Sequence, residues 1–151
     1  MARDAGLRGR APRKEHKAGA APFSVSVGGN LLNPERFFCE HPISTVGLEE
    51  PHFELRMWRG PAWNSMTYWA ARGCLRYGRD DAASRLLERA LDASAAQFER
   101  TGTIWEFYDA LGGPPESLQR KPHTPFNAPC RDYLGHNPLL AMARLYDGVQ
   151  A

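Results

Sequence analysis

Cysteine is scarce in this sequence, and the three present, Cys39, Cys74 and Cys130, stand far apart. No C-x-x-C or C-x-x-H pair occurs, so neither a zinc site nor a paired disulfide framework is expected. Reduced thiols are the plain reading of that spacing. Long hydrophobic runs are also missing: nowhere do eighteen apolar residues follow one another, and no apolar stretch precedes Phe23. A membrane span and a secretory signal are therefore not expected, and the expected compartment is the cytoplasm. A P-loop, a dinucleotide-binding glycine pattern and a Ser–His–Asp arrangement are absent as well, which removes the common phosphate, nucleotide and serine-nucleophile chemistries.

Charge of one sign is short too, except at the start. Six of the basic residues, Arg3, Arg8, Arg10, Arg13, Lys14 and Lys17, lie before Phe23 against only Asp4 and Glu15, so the remainder is slightly acidic although the whole carries +2. A basic arm can grip phosphates, but this one holds no Tyr, Phe or Trp to stack on bases, so nucleic acid is not the expected partner. Residues 1–22, rich in Ala, Gly, Pro and charge, read as a disordered basic tail. Residues 23–151 are the part expected to fold, and their ordinary share of apolar and charged residues suffices for one core.

What the chain does have is a helical second half. Trp63, Met66, Trp69, Ala70, Gly73, Cys74 and Tyr77 recur at steps of three and four, which predicts a helix opening after Pro61 and ending at Gly78. A second helix is expected from a cap at Asp80 or Asp81, with Ala83, Leu86, Leu87, Ala90, Leu91, Ala95 and Phe98 on one face until Gly102 stops it. The link between them is short, so the pair should form an antiparallel αα-hairpin. Asn137 as cap and Pro138 at the first helical position predict a third helix that buries Leu139, Met142, Ala143 and Tyr146. Ahead of these, alternation over Phe23–Val27 followed by Gly28-Gly29-Asn30 predicts a short strand and a turn, and Pro34, Pro42 and Pro51 predict an irregular stretch to Glu54. Three helices with wide apolar faces leave few partners to cover them, so a larger helical assembly is expected.

Three clusters carry possible chemistry. The first runs Met57-Trp58-Arg59-Gly60-Pro61-Ala62-Trp63-Asn64, two indoles and a guanidinium around a Gly-Pro turn. Sugar rings have flat C–H faces rimmed by hydroxyls, and Trp58 with Arg59 supplies a flat platform beside a rigid donor. Taken alone, composition favours the plainer reading, with Trp58 and Trp63 in the core and Arg59 in an ordinary ion pair. The second runs Thr101-Gly102-Thr103-Ile104-Trp105-Glu106-Phe107-Tyr108-Asp109. Apolar neighbours push a carboxyl pKa up, so Glu106 is the catalytic candidate, against the plainer reading of an exposed strand carboxylate. The third, Arg131 to Pro138, offers Tyr133 and His136 as pocket residues or as structural ones.

Trp58-Arg59-Gly60-Pro61-Ala62-Trp63-Asn64 resembles the W-R-G-P-x-W-x-N segment of the mannosyl-oligosaccharide glucosidase and mannosylglycerate hydrolase group, a family 63-like set of glycoside hydrolases. Tyr68, Gly73 and Tyr77-Gly78 in the following helix look like theirs as well. Thr101-Gly102-Thr103-Ile104-Trp105-Glu106-Phe107-Tyr108 is similar to the group's T-G-x-x-W-E-x-Y segment, with a glycine turn after it at Gly112-Gly113. The resemblance covers Leu31 to Tyr146 and is to a clan, which trehalases and glycogen-debranching glucosidases share more distantly, more than to one substrate.

The resemblance implies an all-α fold, here part of an (α/α)6 barrel, a carbohydrate substrate, and no cofactor or metal. It implies inversion by an acid and a base whose carboxyls lie about 6.5–9.5 Å apart. Glu106 takes the base position, and Trp58, Arg59, Trp63, Asn64, Trp105, Tyr108 and His136 fall around the substrate. The group's acid is an Asp upstream of W-R-G-P, which this chain does not match: Glu40, Glu49, Glu50 and Glu54 stand there in unlike contexts. Many members also carry an F-S-W-T-like stretch where this chain has Asp132 to Pro138. The chain alone is therefore expected to be inactive, and a non-catalytic carbohydrate-binding or helical interaction module is the alternative.

Overall fold

In the computed structural model, which describes residues 27–151, three α-helices form: α1 over Asn64–Arg76, α2 over Asp80–Thr101 and α3 over Leu139–Gln150. Helix α1 ends where Gly78 turns left-handed at φ 70°, and the chain re-enters a helix at Asp80. Asp80 and Asp81 in the first turn of α2 favour its positive end. They do not cap it as expected, because Asp81 instead takes the Arg79 guanidinium at 2.9–3.0 Å. Gly102, at φ 67°, terminates α2, its N–H bonding Phe98 O at 2.7 Å.

The hairpin packs along a seam of small residues. Ala71 and Cys74 of α1 meet Ala82, Ala83, Leu86, Leu87 and Ala90 of α2, and Met142 of α3 closes the other side, all buried to 1% exposure or less. Alanine lets helix axes approach closely, and burying Leu86 and Leu87 contributes about 1.5–3 kcal/mol each. Helix α2 touches both neighbours, while α1 and α3 barely meet. Phe38 and Ile43 of the irregular stretch cap the core.

The buried face of α1 is turned from the expected one. Asn64, Thr67, Ala71 and Cys74 face inward, while Met66, Trp69 and Tyr77 are 40%, 60% and 63% exposed. Two stripes on this helix have helical spacing, and the more polar one is buried because its polar atoms find partners. Thr67 Oγ1, for example, donates to Pro42 O at 2.6 Å and accepts from Ile43 N at 2.9 Å. On α2, Ser94 is buried where Ala95 was expected, and Phe98 is exposed; on α3 only Met142 is fully buried, with Leu139, Ala143 and Tyr146 half-buried.

Two other local expectations change. Helix α3 starts at Leu139 with Pro138 in the cap position, and the Asn137 side chain makes no cap bond. Gly28, Gly29 and Asn30 lie inside a single π-helical turn, Val27–Leu31, not in a hairpin turn. Phe23–Ser26 of the expected strand, and the tail 1–22, lie outside the described residues. Among the described residues there is no strand, only isolated bridges, and no helix is long and apolar enough to cross a membrane.

The N-termini of α1 and α3 and the C-terminus of α2 lie at one end of the bundle, because the hairpin is antiparallel and Asn137 bonds Asn64. The irregular segments 32–63 and 102–138 run into and out of that end. It is where the sequence clusters meet.

Candidate active site

Ala62 joins the first two clusters. Its N–H and C=O both pair with Tyr108 at 2.9 Å, and a further bridge connects it to Ser44. The turn before it is closely built. Gly60 is buried against the Glu54 carbonyl and Phe53, and a Cβ there would overlap the Glu54 backbone. Met57 sits in the left-handed region at φ 45°, which costs a non-glycine residue roughly 1–2 kcal/mol. Its carbonyl accepts the Trp63 indole N–H at 3.2 Å.

An aromatic stack results. Trp58 lies on Trp63 with centroids 3.9 Å apart and planes 6° off parallel, and Trp63 leans on Phe107 at 5.1 Å. Trp63 is 6% exposed and Trp58 48%, so the inner indole is core and the outer one offers a flat surface to solvent. Arg59 stands beside it, half-exposed, with Nη2 at 3.3 Å from Glu54 Oε1; Arg56 takes the other oxygen of that carboxylate at 2.7 Å.

Asn64, expected near substrate, is 3% exposed and spends its amide on the interior. Its Nδ2 donates to Ser94 Oγ at 3.0 Å and to Asn137 Oδ1 at 3.2 Å, and its Oδ1 lies 2.9 Å from His41 Nε2. Oδ1 is an acceptor, so His41 carries its proton on Nε2 and leaves Nδ1 bare. Burial holds the His41 pKa down at about 4, the Asn64 bond opposing weakly. Asn137 Nδ2 passes the network on to Trp105 O at 3.3 Å. Tyr108 stacks on His41 at 4.2 Å, and burial, the largest influence, raises its hydroxyl pKa. These bonds fasten α1, α2 and the head of α3 to the loop bearing Glu106.

Trp105 is 3% exposed, its indole N–H on Thr101 Oγ1 at 3.1 Å and its ring under Arg131. Glu106 follows it, 5% exposed, but its partners are polar where apolar ones were expected, since Phe107 turns to Trp63. Arg120 Nη2 donates to Oε1 at 3.2 Å, Arg120 Nε lies 2.9 Å from Oε2, and the Cys130 N–H donates to Oε2 at 3.1 Å. The Glu106 N–H reaches back to Cys130 O at 3.0 Å. The Arg120 guanidinium and the Cys130 N–H together fix the orientation of the carboxylate. Burial and the nearby Glu106 raise the pKa of the Cys130 thiol and the Tyr133 hydroxyl, which keeps both protonated at neutral pH.

His136 is exposed and tilts against Tyr133 at 5.8 Å, joined neither to the network nor to Glu106. The structure thus brings together Trp58, Trp63 and, across Ala62–Tyr108, the Glu106 segment. Asn64, Trp105 and Tyr108 support that arrangement from below. Sequence reasoning missed His41, Arg120 and Cys130. Among the described residues no His, Cys, Asp and Glu side chains gather into a metal-ligating group.

Residues 24–127 match the family model described as the mannosylglycerate hydrolase MGH1-like glycoside hydrolase domain. Comparison with curated proteins finds no match.

Proposed function

The chain belongs to the mannosylglycerate hydrolase MGH1-like glycoside hydrolase family, and on that premise we propose that it contributes to an inverting glycosidase in which Glu106 is the general base. The observation that carries this reading is the setting of Glu106: a buried carboxylate oriented by Arg120 and the Cys130 N–H. In inversion a water activated by the base attacks the anomeric carbon from the face opposite the leaving oxygen, while a carboxylic acid protonates the leaving group. Trp58, exposed and backed by Trp63, is the stacking platform for the sugar ring, and Arg59 beside it is a hydroxyl donor.

The helices form part of an (α/α)6 barrel, a proposal supported by the faces of Trp69, Met66 and Leu140 that the described residues leave uncovered. The acid would be an Asp ahead of Trp58, at a position this chain does not match. The chain by itself is therefore expected to release no sugar, since loss of one acid–base partner costs about 10²–10⁴ in rate.

A titration with oligosaccharides of glucose and mannose tests the site. Binding weakened by both Trp58→Ala and Glu106→Gln supports an active centre. Binding lost with Trp58→Ala and indifferent to Glu106→Gln supports a non-catalytic carbohydrate-binding module. Sugar release by the purified chain that survives Glu106→Gln would remove Glu106 from the mechanism.

A further inference from the structure

A concavity of about 360 Å³ lies where the strap from Asp109 to Gly113 crosses the C-terminal half of α2. Glu40, His41, Asp92, Gln97 and Asp109 line it, and Ala93 and Ala96 keep its helix side shallow. Glu106, Trp58 and Arg59 do not take part in it. Three carboxylates and one arginine surround the space, and that arginine is occupied. Arg89 is paired with Glu40 at 3.1 Å and lies 4.9 Å over the Phe38 ring.

Asp109 gives the cavity its direction. It is 6% exposed, and no described cation pairs with it. Its Oδ1 accepts the Leu111 N–H at 2.8 Å, whereas Oδ2 has no donor among the described residues. Oδ2 lies against Gly113, where any Cβ would collide with it, so the glycine keeps this oxygen's place open. His41, 2% exposed, adds a second acceptor: its Nε2 proton goes to Asn64, which leaves Nδ1 bare on a neutral ring. A buried carboxylate without a countercharge is costly, and a bound cation that also donates hydrogen bonds relieves that cost.

We propose that this cavity binds a small cation rich in hydrogen-bond donors, of the amino-sugar class, its ammonium on Asp109 Oδ2 and its hydroxyls toward Asp92 and His41. The volume suits one ring, and the acceptor-rich wall discriminates against anions and against sugars without the charge. The site requires neither Glu106 nor the aromatic stack, which lie outside it, though it shares His41 and Tyr108 with the network that braces the Glu106 loop.

The test is calorimetric titration of the whole chain with glucosamine at neutral pH and low salt, with glucose and N-acetylglucosamine as uncharged counterparts. Glucosamine is expected to bind at least tenfold more tightly than either. Asp109→Asn keeps the Oδ1 acceptor but removes the charge, and should erase that preference. Ala96→Phe, which fills the cavity from a surface position, should abolish binding and decides the matter if Asp109→Asn does not fold by circular dichroism. Glu106→Gln should leave glucosamine binding unchanged. Equal binding of the three sugars, no binding of glucosamine, or binding untouched by Ala96→Phe would overturn the proposal.

Discussion

Acid should loosen this fold through a single histidine. In the unfolded chain His41 takes up a proton near its ordinary 6.5, but in the folded chain only at about 4. Between those values the unfolded state binds one more proton than the native state, so stability rises with pH. The contribution is complete above pH 6.5 and is lost as pH falls toward 4. Each pH unit in that window is worth up to about 1.36 kcal/mol, so the gap corresponds to about 3 kcal/mol. That is a large share of the roughly 5–15 kcal/mol by which domains are stable. Urea unfolding at steps from pH 7.5 to 4.5 measures it, with His41→Gln as reference, since glutamine keeps a donor for Asn64 and does not titrate here. The wild-type midpoint should fall more steeply than the variant's, the two curves diverging below pH 6.5. Parallel curves would show that His41 is protonated in the native state, or is not buried as described.

Asn64→Ala should lower stability by about 3 kcal/mol, because His41, Ser94 and Asn137 all lose a buried partner; urea midpoints measure it, and a loss below about 1 kcal/mol would mean that water replaces the amide. Two glycines should respond with opposite sign in thermal melts. Gly60→Ala drives a methyl into the Glu54 carbonyl and should cost about 1–3 kcal/mol, while Gly73→Ala, in open space within α1, should gain about 0.5–1 kcal/mol.

The hairpin was legible because α2 combines an apolar period over its whole length with a glycine at its end, signals that depend on neighbours in sequence. The inward face of α1 was not legible. Trp69 and Met66 offer far more apolar surface than Thr67 and Asn64, and only partners distant in sequence, Pro42, Ile43 and Ser94, make the polar stripe fit to bury. Asn137 misled for a related reason: a local cap explained it fully, although its amide is used between Asn64 and Trp105. Trp58 and Glu106 stood out as unusual local chemistry. Arg120, in the polar run Gln119-Arg120-Lys121, carried no such mark until the fold set it against Glu106.

The pairing of Ala62 with Tyr108 also bears on the order in which the molecule assembles. All of α1 and α2 lies between these two residues, and closing so long a loop from an open chain is slow and entropically costly. Helices form within about a microsecond, and once the hairpin has folded back on itself the start of α1 and the end of α2 are already neighbours. The remaining closure is short. The site is thus expected to form after the hairpin, and exchange protection at the amides of Ala62 and Tyr108 should appear later in refolding than protection in α2.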